Sequence, residues 1–157
     1  MNIVIANRQR TKRVNTQLLK QIVVALFAEL EIAEAELGIN LVAARKMALV
    51  NETFLQHEGA TDVITFDHAE KQRAKSKKQK AIHGELFICV DVAKTQAREF
   101  NTSWQSETVR YAVHGVLHLL GYDDLKPALR HEMKREENRL MRQLEKGFSF
   151  AQLSRSR

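Results

Sequence analysis

The chain has 157 residues, of which 44% are hydrophobic, enough to bury the core of one domain but too few for two comfortable ones. Its net charge of +6 favours a polyanionic partner. No apolar run approaches the roughly 18 residues of a membrane span, and the first residues lack the features of a signal peptide. The single cysteine, Cys89, excludes an internal disulfide. We therefore expect a cytoplasmic protein without membrane contact, with Cys89 packed in its core.

Hydrophobic periodicity predicts strands and helices that follow one another along the chain. The predicted elements are a strand at 2–6, an amphipathic helix through 19–30 after the cap Asn15, a strand at 36–42, a helix at 43–55, strands at 61–66 and 84–90, a helix at 92–100, a helix capped by Ser103 or Ser106, and a last helix from Pro127 to about 146. Four strands and five helices indicate a single α/β (α+β) domain, residues 1–157, with a small mixed sheet flanked by helices.

The sequence also predicts the position of one strand in the sheet, the buried face of one helix and the state of the tail. The apolar run at 84–90 is typical of a central strand. The helix at 43–55 should turn Met47, Val50 and Phe54 towards the core. The tail, residues 147–157, has no useful pattern and is predicted to be disordered.

A basic loop, residues 69–82, joins the third and fourth predicted strands. It contains six of the 25 lysines and arginines, and the other residues are nearly balanced in charge. Such a loop can bind RNA phosphates, or it can be a solvated loop that only keeps the protein soluble. The candidate RNA-binding residues are Lys71, Arg73, Lys75, Lys77, Lys78 and Lys80.

The segment 114–124, His-Gly-Val-Leu-His-Leu-Leu-Gly-Tyr-Asp-Asp, has the spacing of a metal site. His114 and His118 are one helical turn apart and can point at one ion. Gly121 can end the helix in a left-handed conformation, so that the chain turns back towards the metal. Asp124 is then the candidate third ligand, with Asp123 as its competitor.

Two nitrogens and one carboxylate leave coordination positions open, as in catalytic zinc sites, although the same set also serves non-haem iron. The spacing resembles that of metzincin proteases, which would place a zinc site on a central helix. Those enzymes carry a glutamate directly after the first histidine as general base, and this chain has Gly115 there. A metal-dependent peptidase therefore remains an alternative that lacks its usual base.

At these residues the chain resembles the YbeY family of endoribonucleases, whose pattern His-Gly-x-Leu-His-Leu-x-Gly-Tyr-Asp-His matches residues 114–124 at every stated position but the last. The resemblance extends over roughly residues 3–145. It includes Asn51 with the helix around it, Thr61-Asp-Val-Ile-Thr-Phe66 and Gly84-Glu-Leu-Phe-Ile.

The resemblance implies an α/β sheet flanked by helices, one zinc ion per chain, and a hydrolase of the nuclease class. The implied activity is zinc-dependent, single-strand-specific cleavage of RNA in small-subunit (16S) rRNA 3′-end maturation and ribosome quality control. The implied partners are single-stranded rRNA and the small ribosomal subunit. A non-catalytic ribosome-assembly factor with the same fold is the other alternative, and the sequence does not indicate an oligomeric state.

This chain departs from the family pattern at two positions. Asp124 replaces the third histidine, which keeps a ligand but lowers the net charge of the site by one and should weaken zinc as a Lewis acid. Leu55 stands where the family usually has an arginine, so a group that could bind phosphate is missing.

Other polar residues are weaker candidates for catalysis. His57 could partly replace the arginine, or it could be an exposed loop residue. Asp62 and Glu85 resemble family positions near the cleft, where they could act as bases or simply fix the strand ends. The other histidines, His68, His83 and His131, have still weaker claims.

Overall fold

The computed structural model describes residues 1–69 and 80–155, which form a four-stranded mixed sheet and five α-helices. The predicted fold class is therefore confirmed. The strands are β1 (Asn2–Asn7), β2 (Ile32–Val42), β3 (Val63–Asp67) and β4 (Lys80–Cys89). The helices are α1 (Thr16–Glu29), α2 (Ala44–Val50), α3 (Val90–Phe100), α4 (Trp104–Leu119) and α5 (Pro127–Gly147).

The sheet has the order β1-β2-β4-β3, so the apolar strand β4 occupies an inner position, as predicted. The strand β2 pairs in parallel with both β1 and β4. The edge strand β3 pairs antiparallel with β4, where Ile64 lies opposite Phe87. Helices α1 and α4 pack against the sheet, and α5 packs on both of them.

The helix starts follow from local capping. The Asn15 side chain accepts a hydrogen bond from the Leu18 N–H at 3.0 Å, and Ser103 accepts one from the Ser106 N–H at 3.1 Å. Each satisfies an amide that the first helical turn leaves without a backbone partner. The predicted cap of α1 is confirmed, and Ser103 rather than Ser106 caps α4.

The core side of α4 is buried against the sheet, where its apolar residues meet those of β4. Val109, Val113 and Val116 are fully buried, as the spacing of three and four residues predicts. Cys89 is also fully buried, and burial raises the pKa of its thiol. This agrees with a packing role for the cysteine.

Two features of the helical segments differ from the prediction. The chain continues past Val50 as a π-helical turn, Asn51–Leu55, and the extra residue in that turn rotates Phe54 outwards, so that it is 65% exposed. The tail is ordered as far as it is described, because a 3₁₀ helix, Phe150–Ser154, buries Leu153. The spacing of apolar residues predicted neither the π-helical turn nor the 3₁₀ helix.

The strands β2 and β4 begin earlier than predicted because their first residues pair with each other, Ile32 opposite Lys80. Lys80 therefore belongs to a strand rather than to the basic loop, and its ammonium donates to the Leu30 carbonyl at 3.0 Å. The other candidate cations of the loop, Lys71, Arg73, Lys75, Lys77 and Lys78, lie outside the described residues. In the described part of the chain, no helix is both long and apolar enough to span a bilayer.

Gly84 permits a close contact between β4 and its neighbours. A Cβ atom built there would lie 2.6 Å from the Phe66 carbonyl oxygen and 2.6 Å from the Leu119 Cδ2. We expect Gly84→Ala to lower the free energy of unfolding by about 1–3 kcal/mol, as overpacking does. Urea denaturation measures this change.

Gly147→Ala is the matched control, since a Cβ atom at Gly147 meets nothing within 4 Å. Alanine is also a better helix former than glycine, so the free energy of unfolding of Gly147→Ala should be unchanged or slightly higher than that of the wild type. Equal stability of the two variants would contradict the packing argument.

Candidate metal centre and its cleft

Helix α4 and the turn that ends it position the three predicted ligands. His114 and His118 follow each other on one face of the helix, with ring centroids 4.6 Å apart. Gly121 then adopts a φ of 103°, and the Tyr122 N–H bonds back to the Leu117 carbonyl at 3.0 Å. This is a Schellman turn, which a glycine allows without steric cost. It carries Asp124 back to the histidines.

Three donor atoms converge at this point. The two histidine Nε2 atoms are 3.1 Å apart, and each lies 3.6 Å from the Asp124 Oδ2. Ligands of a tetrahedral zinc ion, at about 2.0–2.1 Å from the metal, lie about 3.3 Å from one another. The triangle therefore has the size of a tetrahedral metal site, and Asp124 is brought to it as expected.

The hydrogen bonds of the outer ring nitrogens determine the tautomers. His114 Nδ1 lies 2.9 Å from Glu137 Oε2, and His118 Nδ1 lies 3.0 Å from the Tyr122 carbonyl oxygen. A carboxylate and a carbonyl can only accept, so both Nδ1 atoms carry the proton. When both imidazoles are neutral, as metal ligands are, their Nε2 lone pairs face each other, an arrangement that a cation between them stabilises. The donor set thus fits a bound metal ion.

Glu137 is the partner that orients His114. Its carboxylate is only 5% exposed and also accepts from the Arg110 guanidinium at 2.7 Å. Burial alone would raise the pKa of Glu137, but the hydrogen bonds from His114 and Arg110 outweigh it, and the pKa lies below its usual value. Burial likewise lowers the pKa of His114, yet the bond to Glu137 leaves it raised. The carboxylate is therefore ionised at neutral pH.

Glu137 was not predicted from the sequence, although its position carries a signal. The buried stripe of α5 runs through Met133, Leu140 and Leu144, and Glu137 lies in that same stripe at helical spacing. A charged residue among buried apolar positions needs a partner. The spacing alone does not show that the partner is a metal-binding histidine.

A cleft of about 520 Å³ opens beside the histidines and includes His114 and Asp124 in its wall. Helix α4 forms its floor, while α3 and α5, which both contact α4, add side chains from either side. Asp62, at the start of β3, also lines it. Burial and the charge of Asp62 raise the pKa of Tyr111 far above its usual value, so Tyr111 presents a neutral phenol to the cleft.

Of the weaker catalytic candidates, only Asp62 lies in the wall of this cleft. Its backbone carbonyl accepts from the Cys89 N–H at 2.9 Å, which fixes it to the sheet end. Glu85 instead bonds the Asn40 amide at 2.9 Å on β2. His57 and Leu55 are exposed and do not line the cleft.

The remaining candidates lie elsewhere. His68 and His83 pack edge to face with ring centroids 5.7 Å apart, and His131 is exposed on α5. Lys80 lines a different cavity from the one beside His114. Asp123 accepts from the Leu125 N–H at 2.9 Å, a local turn contact rather than a contact with the histidines.

Position 115 cannot carry the glutamate of a metzincin in this packing. A Cβ atom on Gly115 would lie 2.6 Å from the buried Leu86 side chain. The residue after the first histidine therefore faces β4, away from the cleft. This counts against the peptidase alternative.

The sequence and the overall fold are similar to those of known proteins. A family model described as endoribonuclease YbeY matches residues 4–145. The chain is 35% identical over 130 residues to an endoribonuclease YbeY of Bacteroides fragilis, covering 83% of this chain and 85% of that protein. A Chlorobium luteolum endoribonuclease YbeY is 33% identical over 148 residues, covering 92% of this chain and 98% of that protein. The solution structure of TM1509 from Thermotoga maritima superposes with a TM-score of 0.65 at 25% identity, covering 90% of this chain and 88% of that one.

Proposed function

The chain belongs to the YbeY family of endoribonucleases, and from that premise we propose that it is a zinc-dependent endoribonuclease specific for single-stranded RNA. Its metal ligands are His114, His118 and Asp124. The observation that carries this proposal is the convergence of their three donor atoms at 3.1–3.6 Å. Both histidines hold their Nε2 lone pairs inward.

The proposed substrate is the 3′ end of the small-subunit (16S) rRNA, and the proposed partners are that rRNA and the small ribosomal subunit in the cytoplasm. Ribosome quality control belongs to the same proposal. The relatives' names support an action on RNA, and the net charge of +6 suits a polyanion. The basic loop residues, of which Lys71, Arg73, Lys75, Lys77 and Lys78 lie outside the described residues, remain proposed backbone contacts.

The chain's own residues supply orientation and proton transfer. Glu137 and the Tyr122 carbonyl hold the two histidine rings in the ligand tautomer, which preserves their basicity. A zinc ion would supply Lewis acidity at a phosphoryl oxygen and make a water more acidic. Cleavage also requires a group that takes a proton from the attacking hydroxyl. Asp62, in the wall of the same cleft, is the proposed candidate.

Asp124 affects the net charge of the proposed zinc site. Its carboxylate places a negative charge where the family has a neutral imidazole, so the zinc site carries one positive charge less. Asp124→His would restore the family's ligand and is expected to raise the cleavage rate.

A direct test incubates the protein with unstructured RNA after the metal has been removed by chelation and zinc then restored. We expect zinc to restore cleavage of single-stranded RNA, with duplex RNA and casein left intact. His118→Ala should abolish cleavage because it removes a ligand. The matched control is His131→Ala, an exposed histidine outside the cleft, which should cleave normally.

Each alternative predicts a different result. Digestion of casein would identify a peptidase. Zinc-loaded protein that binds RNA but leaves it uncut would identify a non-catalytic assembly factor, and rescue of ribosome maturation by His118→Ala would do the same. Equal cleavage by His118→Ala and the wild type would contradict the proposed site.

A further inference from the structure

The cleft beside His114 carries two features that the proposed metal chemistry does not use. Phe100, the last residue of α3, lines the cleft yet is 61% exposed. Arg130 and Lys134 line it from α5, four residues apart and thus on one face of that helix. One cleft therefore combines an exposed aromatic ring with a pair of cations.

Among the described acidic residues that line the cleft, Glu137 alone pairs with one of these cations, and Asp62 accepts from the Val63 N–H at 2.7 Å. Glu137 is bonded to Arg110 and His114, and Glu107 is buried and accepts from the Thr102 hydroxyl at 3.0 Å. Asp124 faces the histidines.

Lys134 is 60% exposed and only 3.5 Å from the already bonded Glu137. The Arg130 guanidinium has no hydrogen bond or ion pair to any residue in the described ranges 1–69 and 80–155. Arg130 can therefore bind a ligand directly, and the exposed Lys134 ammonium, which has three N–H donors, can bind one beside its contact with Glu137.

We propose that Phe100, Arg130 and Lys134 form an RNA-binding subsite, in which a nucleobase stacks on Phe100 and a backbone phosphate lies against Arg130 and Lys134. This inference rests on the proposed function and names how the strand is held. An unpaired base can stack on an aromatic ring, whereas a base inside a duplex cannot reach it. The subsite therefore favours single strands and tolerates any base.

The cations of α5 also provide the phosphate contact that Leu55 cannot provide. Leu55 lies in the π-helical turn, outside the cleft wall. A guanidinium and an ammonium one turn apart can contact the same or neighbouring phosphates. The phosphate-binding role is thereby assigned to a different element of this chain.

The charge pair is tested with a fluorescent single-stranded RNA and the full chain freed of zinc, so that bound RNA is not cut. We expect the Arg130→Gln/Lys134→Gln double variant to bind about tenfold more weakly at physiological ionic strength. The slope of log binding constant against log salt concentration should become less steep by about 0.7 for each lost phosphate contact. The control, Arg135→Gln/Arg142→Gln, removes two exposed cations of the same helix that do not line the cleft. Fluorescence anisotropy measures RNA affinity and its salt dependence for both double variants.

Loss of the aromatic contact should change RNA binding in a different way from loss of the two cations. Phe100→Ala should weaken binding about tenfold with an unchanged salt slope, because no phosphate contact is lost, and Phe100→Trp should restore affinity. Phe54→Ala is the matched control, since Phe54 is equally exposed but lies outside the cleft. Thermal unfolding verifies that each variant remains folded, as expected for exposed positions.

The outcomes separate this inference from the proposed function. If the wild type binds RNA and the Phe100 and Arg130/Lys134 variants bind it equally well, the subsite is wrong and the nuclease proposal stands. If the variants lose affinity but the zinc-loaded wild type cuts no RNA, the subsite stands and cleavage is wrong. A wild type that does not bind single-stranded RNA overturns both.

Discussion

Asp124→Ala is expected to weaken zinc binding by more than about 100-fold, because it removes one of three protein ligands. Loss of a residue that only orients a ligand typically costs about 10–100-fold in metal affinity, and Asp124 lies directly opposite both Nε2 atoms at 3.6 Å. Two histidines alone would leave the ion held by water at the remaining positions. Competition with a chromophoric chelator, together with metal analysis of the purified protein, measures the change.

Asp123→Ala provides the control for this prediction. It removes the adjacent carboxylate, whose observed contact is with the Leu125 N–H, so zinc affinity should change little. Asp124→His should bind zinc with an affinity similar to that of the wild type, since imidazole is also a good zinc ligand. Equal zinc content in the wild type and Asp124→Ala, or loss of zinc in Asp123→Ala, would show that Asp124 is not the third ligand.

Glu137→Ala is expected to affect both stability and metal binding. It leaves the Arg110 guanidinium and the His114 Nδ1–H without their buried acceptor. Breaking a buried ion pair by removing one partner costs about 3–5 kcal/mol, and we expect the lower end because Arg110 is 25% exposed. Zinc affinity should fall by about 10–100-fold, because His114 loses the contact that sets its tautomer. Urea denaturation of the zinc-free protein and a zinc titration measure the two effects.

Glu136→Ala is the matched control, one residue away on the same helix. Its carboxylate pairs with Arg139 at the surface, where an ion pair contributes about 0–1 kcal/mol. Zinc affinity should not change. Glu137→Gln separates charge from shape, because its amide oxygen can still accept from one neighbour. Similar effects of Glu136→Ala and Glu137→Ala would contradict the role of Glu137.

The order and type of the elements were largely predictable because local forces determine them. The spacing of apolar residues predicts which face of a helix is buried, and the caps Asn15 and Ser103 act within three residues. Two of the errors occurred where a distant part of the chain determines the structure. The early starts of β2 and β4 depend on their pairing with each other, and the burial of Leu153 depends on packing against the main core.

The three proposed metal ligands could be identified from the sequence. His114, His118 and Asp124 lie within one helix and the turn that Gly121 allows, so the short-range geometry of the backbone is enough to bring their donor atoms together. The surroundings of these ligands depend on the tertiary structure. Glu137 reaches His114 from 23 residues away, and Phe100 and Arg130 join the same cleft from two other helices. Contacts between separate helices depend on how those helices pack on the sheet, and no local spacing in the sequence encodes that packing.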